Sequence, residues 1–210
     1  MSDFIQSIRK DIAANNRALL KNGDPNGEFW MPAMSDAPLR GYNGRHEWFW
    51  EPGDEAHIFP VENLVDMYYK SVGRNSTLIL GLTPNPDGLM PEPDVKRLKE
   101  FGDEIKRRFD TPLASVSGMG NKITLKLPKT TMVNQVVVQE DICNGESVRN
   151  YVVEGLIGKK WKVLAKGESI GHKRIEQFDS VKISQLRLKI SKAIKTPQIK
   201  DLSIYYVKPK

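Results

Sequence analysis

Cysteine is almost missing from this chain. Cys143 stands alone in 210 residues, which excludes an internal disulfide and a cysteine-built metal centre. A solitary cysteine is ordinarily a small buried hydrophobe, and that is the expectation for Cys143. Histidine is nearly as sparse, with three residues. Neither His57 nor His172 has a partner at metal-ligand spacing, so no metal ion is expected, and no motif calls for another cofactor. Long apolar runs are missing too: no stretch approaches the roughly 18 residues of a membrane-spanning helix, and no membrane partner is expected. The opening residues lack the basic-then-apolar pattern of an export signal. Internal repeats and low-complexity segments are also absent.

What is present is the composition of a folded protein, with 39% hydrophobic and 28% charged residues. A chain of this length suits one large domain or two small ones. The net charge of +6 is unevenly spread: residues 1–110 carry 14 Lys/Arg against 18 Asp/Glu, and residues 111–210 carry 18 against 8. That asymmetry supports two units of different character, with a boundary near residue 111. A basic second half raises the question of a polyanionic partner. Its lysines, however, are spaced singly along alternating segments, as on a solvated sheet face. No recognition motif accompanies them, so nucleic acid is not expected as a partner.

The first half mixes helices with short strands. Apolar spacing predicts a helix over residues 4–20, a turn over 22–27 and a short buried strand over 28–34. Residues 35–55 read as a long loop punctuated by Gly and Pro, and loops of that length are often functional. A second helix is expected from Pro60, burying Val61, Leu64, Val65, Tyr68 and Val72, with Gly73 ending it. Residues 77–82 read as a fully buried strand. Asp94 is expected to cap a third helix whose Val95, Leu98, Phe101, Ile105 and Phe109 share a face. The alternation of strand and helix is that of an α/β unit. After residue 111, short alternating segments at 123–127, 133–139, 148–156, 161–164, 181–183, 186–190 and 202–206 predict an antiparallel sandwich or jelly roll.

Residues 42–50 place Glu47 beside His46, Arg45 and the aromatic Trp48-Phe49-Trp50 block. Ring faces and polar edges together suit a sugar, which has apolar C–H faces and hydroxyl rims. A carboxylate pressed against an indole is disfavoured as an anion, so Glu47 is expected to hold its proton more tightly than a free glutamate. The bland alternative, of equal weight on composition alone, is an aromatic core corner with a capping glutamate.

Trp30-Met-Pro-Ala33, Trp48-Phe-Trp50 and the run from Ser71 to Gly88 come in an order that resembles the α-L-fucosidases of glycoside hydrolase family 29. In the second half, Tyr151-Val-Val-Glu154, the segment from Trp161 to His172 and Leu186-Arg-Leu188 look like that family's C-terminal β-sandwich. The resemblance runs from about Glu28 to the C-terminus. It implies the fold class α/β plus all-β: a partial (β/α)8-type barrel segment over residues 1–110, followed by a β-sandwich over 111–210. It implies a retaining exo-glycosidase for terminal α-L-fucose, with fucosylated glycans as partners. Such enzymes need two carboxyl groups about 5–5.5 Å apart, a nucleophile and a general acid/base. The family is commonly secreted, periplasmic or lysosomal.

Two departures accompany the resemblance. A complete barrel takes about 250 residues, and the family's nucleophile, an Asp in a Trp-x-Asp-Gly-like strand end, has no counterpart: the only Asp-Gly is Asp87-Gly88, inside a Pro-rich turn. An isolated chain is therefore expected to be inactive, and either self-association or a chain carrying the rest of the barrel is expected as a partner. In addition, the acid/base Glu of one family branch falls on Met34, whose thioether donates no proton. The Gly41-Tyr-Asn43 stretch of another branch instead makes Glu47 the general acid/base candidate, with Asp36 the runner-up. Trp48 and Trp50 are candidates for the wall against the fucose methyl group, on the same side if the block is extended. Arg40, Arg45 and His46 are candidates for sugar hydroxyls. The competing possibility is a non-catalytic carbohydrate-binding or structural sandwich, with Trp161 or Tyr151 as a stacking platform.

Overall fold

The computed structural model describes residues 33–44 and 48–208. The expected helix at 4–20, the turn at 22–27 and most of the 28–34 strand lie outside the described residues. The first described element is β1 (Ala33–Pro38), which pairs in parallel with β2 (Ser76–Gly81), from Ala33 opposite Ser76 to Pro38 opposite Gly81. Residues 35–38 are thus strand, not loop: Ser35, Asp36 and Ala37 find ladder partners on β2. Pro38, which has no N–H to donate, falls at the strand end where that omission is tolerated.

Helix α1 (Val61–Lys70) follows Pro60, whose fixed φ prepares the first turn, and buries Leu64, Val65 and Tyr69. Helix α2 (Glu92–Phe109) follows β2. Its cap is not Asp94: Pro91 stands at the N-cap and no side chain caps the first turn. Asp94 belongs instead to the inner stripe Asp94, Leu98, Phe101, Ile105, spaced by three and four residues. Val95 is rotated about 100° from that stripe and is left exposed. Both helices cover one face of the β1–β2 pair, where Leu80, Leu82, Leu98 and Phe101 pack round Leu39, Ile58 and Leu64. The other face alternates outward, so β2 is half-exposed rather than fully buried, with Ile79 46% exposed.

After α2 the chain is antiparallel. Strands β3 (Ala114–Met119), β4 (Lys122–Glu140), β5 (Val148–Ile157), β6 (Lys160–Gly167), β7 (Arg174–Ala193) and β8 (Gln198–Tyr205) are ordered β3-β8-β4-β7-β5-β6. The segments expected at 123–127 and 133–139 are one strand, β4, and those at 181–183 and 186–190 are both within β7. Register shifts between Lys126 and Thr131, and again near Val133, let β4 bend along β7 without breaking the ladder. Strand β8 takes the second half of β4, and β5 takes the second half of β7. The two long strands therefore serve both layers of a sandwich. Its core unites Ile123, Leu125, Val136, Tyr151, Leu186, Leu188, Leu202 and Ile204. Cys143 is exposed rather than buried, because it lies in the turn after β4, where the Asp141 carboxylate pushes its thiol pKa up.

The helical segment and the sandwich share an apolar contact of Val65 and Tyr69 with Val137, Ile175 and Tyr205. The Phe109 and Tyr205 rings meet edge to face at 5.4 Å. The turn that ends α1 reinforces it: Gly73 O accepts from Ile175 N at 3.0 Å, and Asn75 Oδ1 accepts from His172 N at 2.5 Å. Gly73 and Asn75 end the helix, Asn75 in the left-handed region at φ 67°.

Candidate functional site

Parallel strands backed by helices on one side present their C-terminal ends, and the loops that leave them, as a natural site. The loop leaving β1 is built as a closed excursion. Its two arms meet at Arg40 and Ile58, where Gly41 N donates to His57 O at 2.9 Å and Phe59 N to Leu39 O at 3.0 Å. Leu39 N donates to Gly81 O at 2.8 Å, so the neck is also tied to the end of β2.

Beneath the neck lies a buried ion pair. Arg40 Nε and Nη2 donate to the two carboxylate oxygens of Asp94 at 3.2 and 2.8 Å, and each side chain is only 3% exposed. The Asp94 hydrogen bond raises the Arg40 pKa further, against the opposing effect of burial. Arg97 donates to the carbonyl of Phe59, on the other arm. The first two turns of α2 thus grip both arms of the neck. Within the excursion, His57 Nδ1 donates to the Tyr42 carbonyl at 3.0 Å, and Tyr42 meets Phe59 edge to face. Arg40 was expected at a sugar hydroxyl; the structure instead places it under the loop with Asp94.

Trp48 lies against the end of β2. Its ring occupies the space over Gly81, where an added Cβ would come within 3.0 Å of Cζ3. By alternation Gly81 shares a face with Ile79, the face turned away from the helices, and Asp36, opposite Ile79 in register, lies on it too. Trp48, Asp36 and Ile79 therefore line one side of the sheet, with Trp48 at the C-terminal end. Trp48 is 49% and Phe49 82% exposed, and Trp50 is partly buried. The block bends at Trp48 and Phe49, so the extended alternation expected for it does not occur. Glu47, His46 and Arg45 lie outside the described residues. No cluster of metal-ligating side chains occurs among the described residues.

The sandwich residues singled out as a stacking platform sit differently. Tyr151 is fully buried, with its hydroxyl donating to Glu176, and cannot face a sugar. Sequence alternation placed it inward, but nothing in it announced the Glu176 partner. Trp161 is partly exposed, with the Arg187 guanidinium 3.9 Å from its ring centre.

Together these features define a class: a pair of parallel strands backed by helices on one face, with a loop clamped at their C-terminal ends, joined to an antiparallel β-sandwich. Sequence and structure comparisons then specify it. A Bacteroides thetaiotaomicron protein, provisionally named an α-L-fucosidase, is 56% identical, with a TM-score of 0.89 over 91% of this chain and 44% of its own. A glycoside hydrolase family 29 member from an unknown rumen bacterium is 29% identical, with a TM-score of 0.80, over 92% of this chain and 36% of its own. Alpha-L-fucosidase 1 of Arabidopsis thaliana is 28% identical over 88% of this chain and 42% of its own length. No family model matches the chain. The chain resembles the C-terminal portion of the α-L-fucosidases of glycoside hydrolase family 29, and it spans about two fifths of the length of the curated relatives it matches.

Proposed function

We propose that this chain is the acid/base-bearing part of a retaining α-L-fucosidase, with residues 1–110 closing the catalytic barrel and residues 111–210 forming the sandwich beside it. The observation that carries this reading is the loop leaving β1: it is clamped at its neck, set over the strand ends, and has the Trp48 ring fixed on Gly81. Glu47, bonded to Trp48 in the sequence, is the general acid/base. In the first step a carboxylate from outside these 210 residues attacks the anomeric carbon, while Glu47 gives its proton to the departing glycosidic oxygen. In the second step water attacks the glycosyl-enzyme, Glu47 takes back a proton, and fucose leaves with its configuration retained. Trp48 and Trp50 supply the apolar wall, while Arg45 and His46 hold hydroxyls. Arg40 acts from below by fixing the loop. Asp36, on the same sheet face, is the alternative acid/base.

Lacking a Trp-x-Asp-Gly segment, the 210 residues alone should not turn over an aryl α-L-fucoside. Joined to the N-terminal part of the Bacteroides thetaiotaomicron relative, they should, and Glu47→Gln should abolish most of that turnover on substrates with poor leaving groups. Robust turnover by the isolated chain, or a Glu47→Gln chimera as active as its parent, would overturn the assignment.

A further inference from the structure

The register of the sandwich assembles a charged grid that the proposed chemistry does not use. On the outer face of the β4-β7-β5-β6 layer three rungs cross four strands. The first is Lys122, Lys189, Val152, Lys166; the second is Thr124, Arg187, Glu154, Val163; the third is Lys126, Gln185, Leu156, Trp161. The intervening Ile123, Leu125, Leu186, Leu188 and Val153 are buried in the core, which turns these twelve outward. With strands about 4.8 Å apart and about 3.3 Å per residue along them, the grid measures roughly 14 by 13 Å.

Five cations stand on this grid with one carboxylate. Glu154 is committed to Arg187, with Lys189 Nζ at 3.8 Å. Lys122, Lys126 and Lys166 make no ion pair among the described residues. Lys122 lies directly opposite Lys189, a like-charge pairing that opposes folding. Between the charges run Val152, Leu156 and Val163, the last 60% exposed. Cations interspersed with apolar side chains on one flat face fit a chain of rings that carry anionic groups at their rims and C–H faces between them. It fits nucleic acid less well, since the single indole is already capped by Arg187 and no row of rings is available to stack bases.

We propose that this sheet face binds a polyanionic glycan, one bearing sulfate or carboxylate groups, independently of any catalytic site. The test uses the whole chain in about 0.15 M salt, where the Debye length is about 8 Å and diffuse attraction is screened. Dextran sulfate, uncharged dextran and a single-stranded oligothymidylate are titrated in turn by calorimetry. Dextran sulfate should bind, uncharged dextran should not, and the oligonucleotide should bind distinctly more weakly. Lys122→Glu with Lys189→Glu should weaken dextran sulfate binding by about tenfold or more, through loss and reversal of fixed charge contacts. Lys96→Glu with Lys106→Glu, the same change in net charge on exposed positions of α2, should leave it nearly unchanged. If the charge reversals prevent folding, Lys122→Gln with Lys189→Gln gives the same comparison. Equal losses in the two pairs, absence of dextran sulfate binding, or equally tight oligonucleotide binding would overturn the proposal.

Discussion

Asp94→Asn should unfasten the site loop at its neck. The substitution keeps the shape of the side chain but leaves the Arg40 guanidinium, 3% exposed, without its counter-charge. Breaking one partner of a buried ion pair costs about 3–5 kcal/mol, because the remaining charge is left uncompensated in a poorly solvated place. Asp54 and Glu55 also act on Arg40 electrostatically, which favours the lower end of that range. At about 2–4 °C per kcal/mol for a chain of this size, a loss of about 3 kcal/mol lowers Tm by about 6–12 °C. Urea unfolding followed by tryptophan emission measures the loss, and limited proteolysis should show faster cutting between residues 42 and 56. Replacing both partners, Arg40→Met with Asp94→Leu, should recover most of the stability, since no charge is then left buried. A loss below about 1 kcal/mol for Asp94→Asn, the level of an exposed pair, would refute the reasoning. A double variant less stable than the single would do the same.

Other outcomes follow from the sandwich. Gly155→Ala would place a methyl 2.7 Å from Ile183 Cγ2 and 2.9 Å from Leu164 Cδ1 inside the core, costing about 1–3 kcal/mol by chemical denaturation; a neutral result would mean that the two layers are looser than their contacts indicate. Glu154 has its pKa held down, first by the hydrogen bond from Arg187 and then by the charges of Arg187 and Lys189, against a desolvation effect that raises it. Its folded state therefore binds fewer protons than the unfolded chain as pH falls through and below about 4.3, so its stabilising contribution is present above that pH and is lost as pH drops through the lowered folded-state value. Between pH 5 and 2 the stability of Glu154→Gln should fall less steeply than that of the parent, and parallel curves would contradict the linkage.

The sequence and the structure agree where a pattern is local and differ where a partner is distant. Pro60 followed by Val61, Leu64 and Val65 is enough to place α1, because an amphipathic stripe opened by a proline carries its own period. The inward turn of Val136, Val138, Val153 and Leu188 is equally legible from alternation. Strand lengths are not: β4 and β7 run through bulges, and a bulge shifts the period just where the sequence gives the impression of a strand ending. Ser35, Asp36 and Pro38 look like loop residues until β2, forty residues away, supplies the ladder. The site shows the same division. The aromatic block was visible in residues 42–50, whereas the clamp beneath it was not, since Arg40 and Asp94 are far apart in sequence and Asp94 reads locally as a cap.

The most direct test of the proposed acid/base is the product formed from an activated aryl α-L-fucoside by the chimera carrying Glu47→Ala. A good leaving group departs without protonation, so the glycosyl-enzyme forms and then stalls for want of a base, about 100- to 10,000-fold below the parent. Azide, which needs no base, should restore turnover and give α-L-fucosyl azide, with the configuration retained. Unimpaired hydrolysis by Glu47→Ala, or azide rescue of Asp36→Ala in its place, would contradict the assignment.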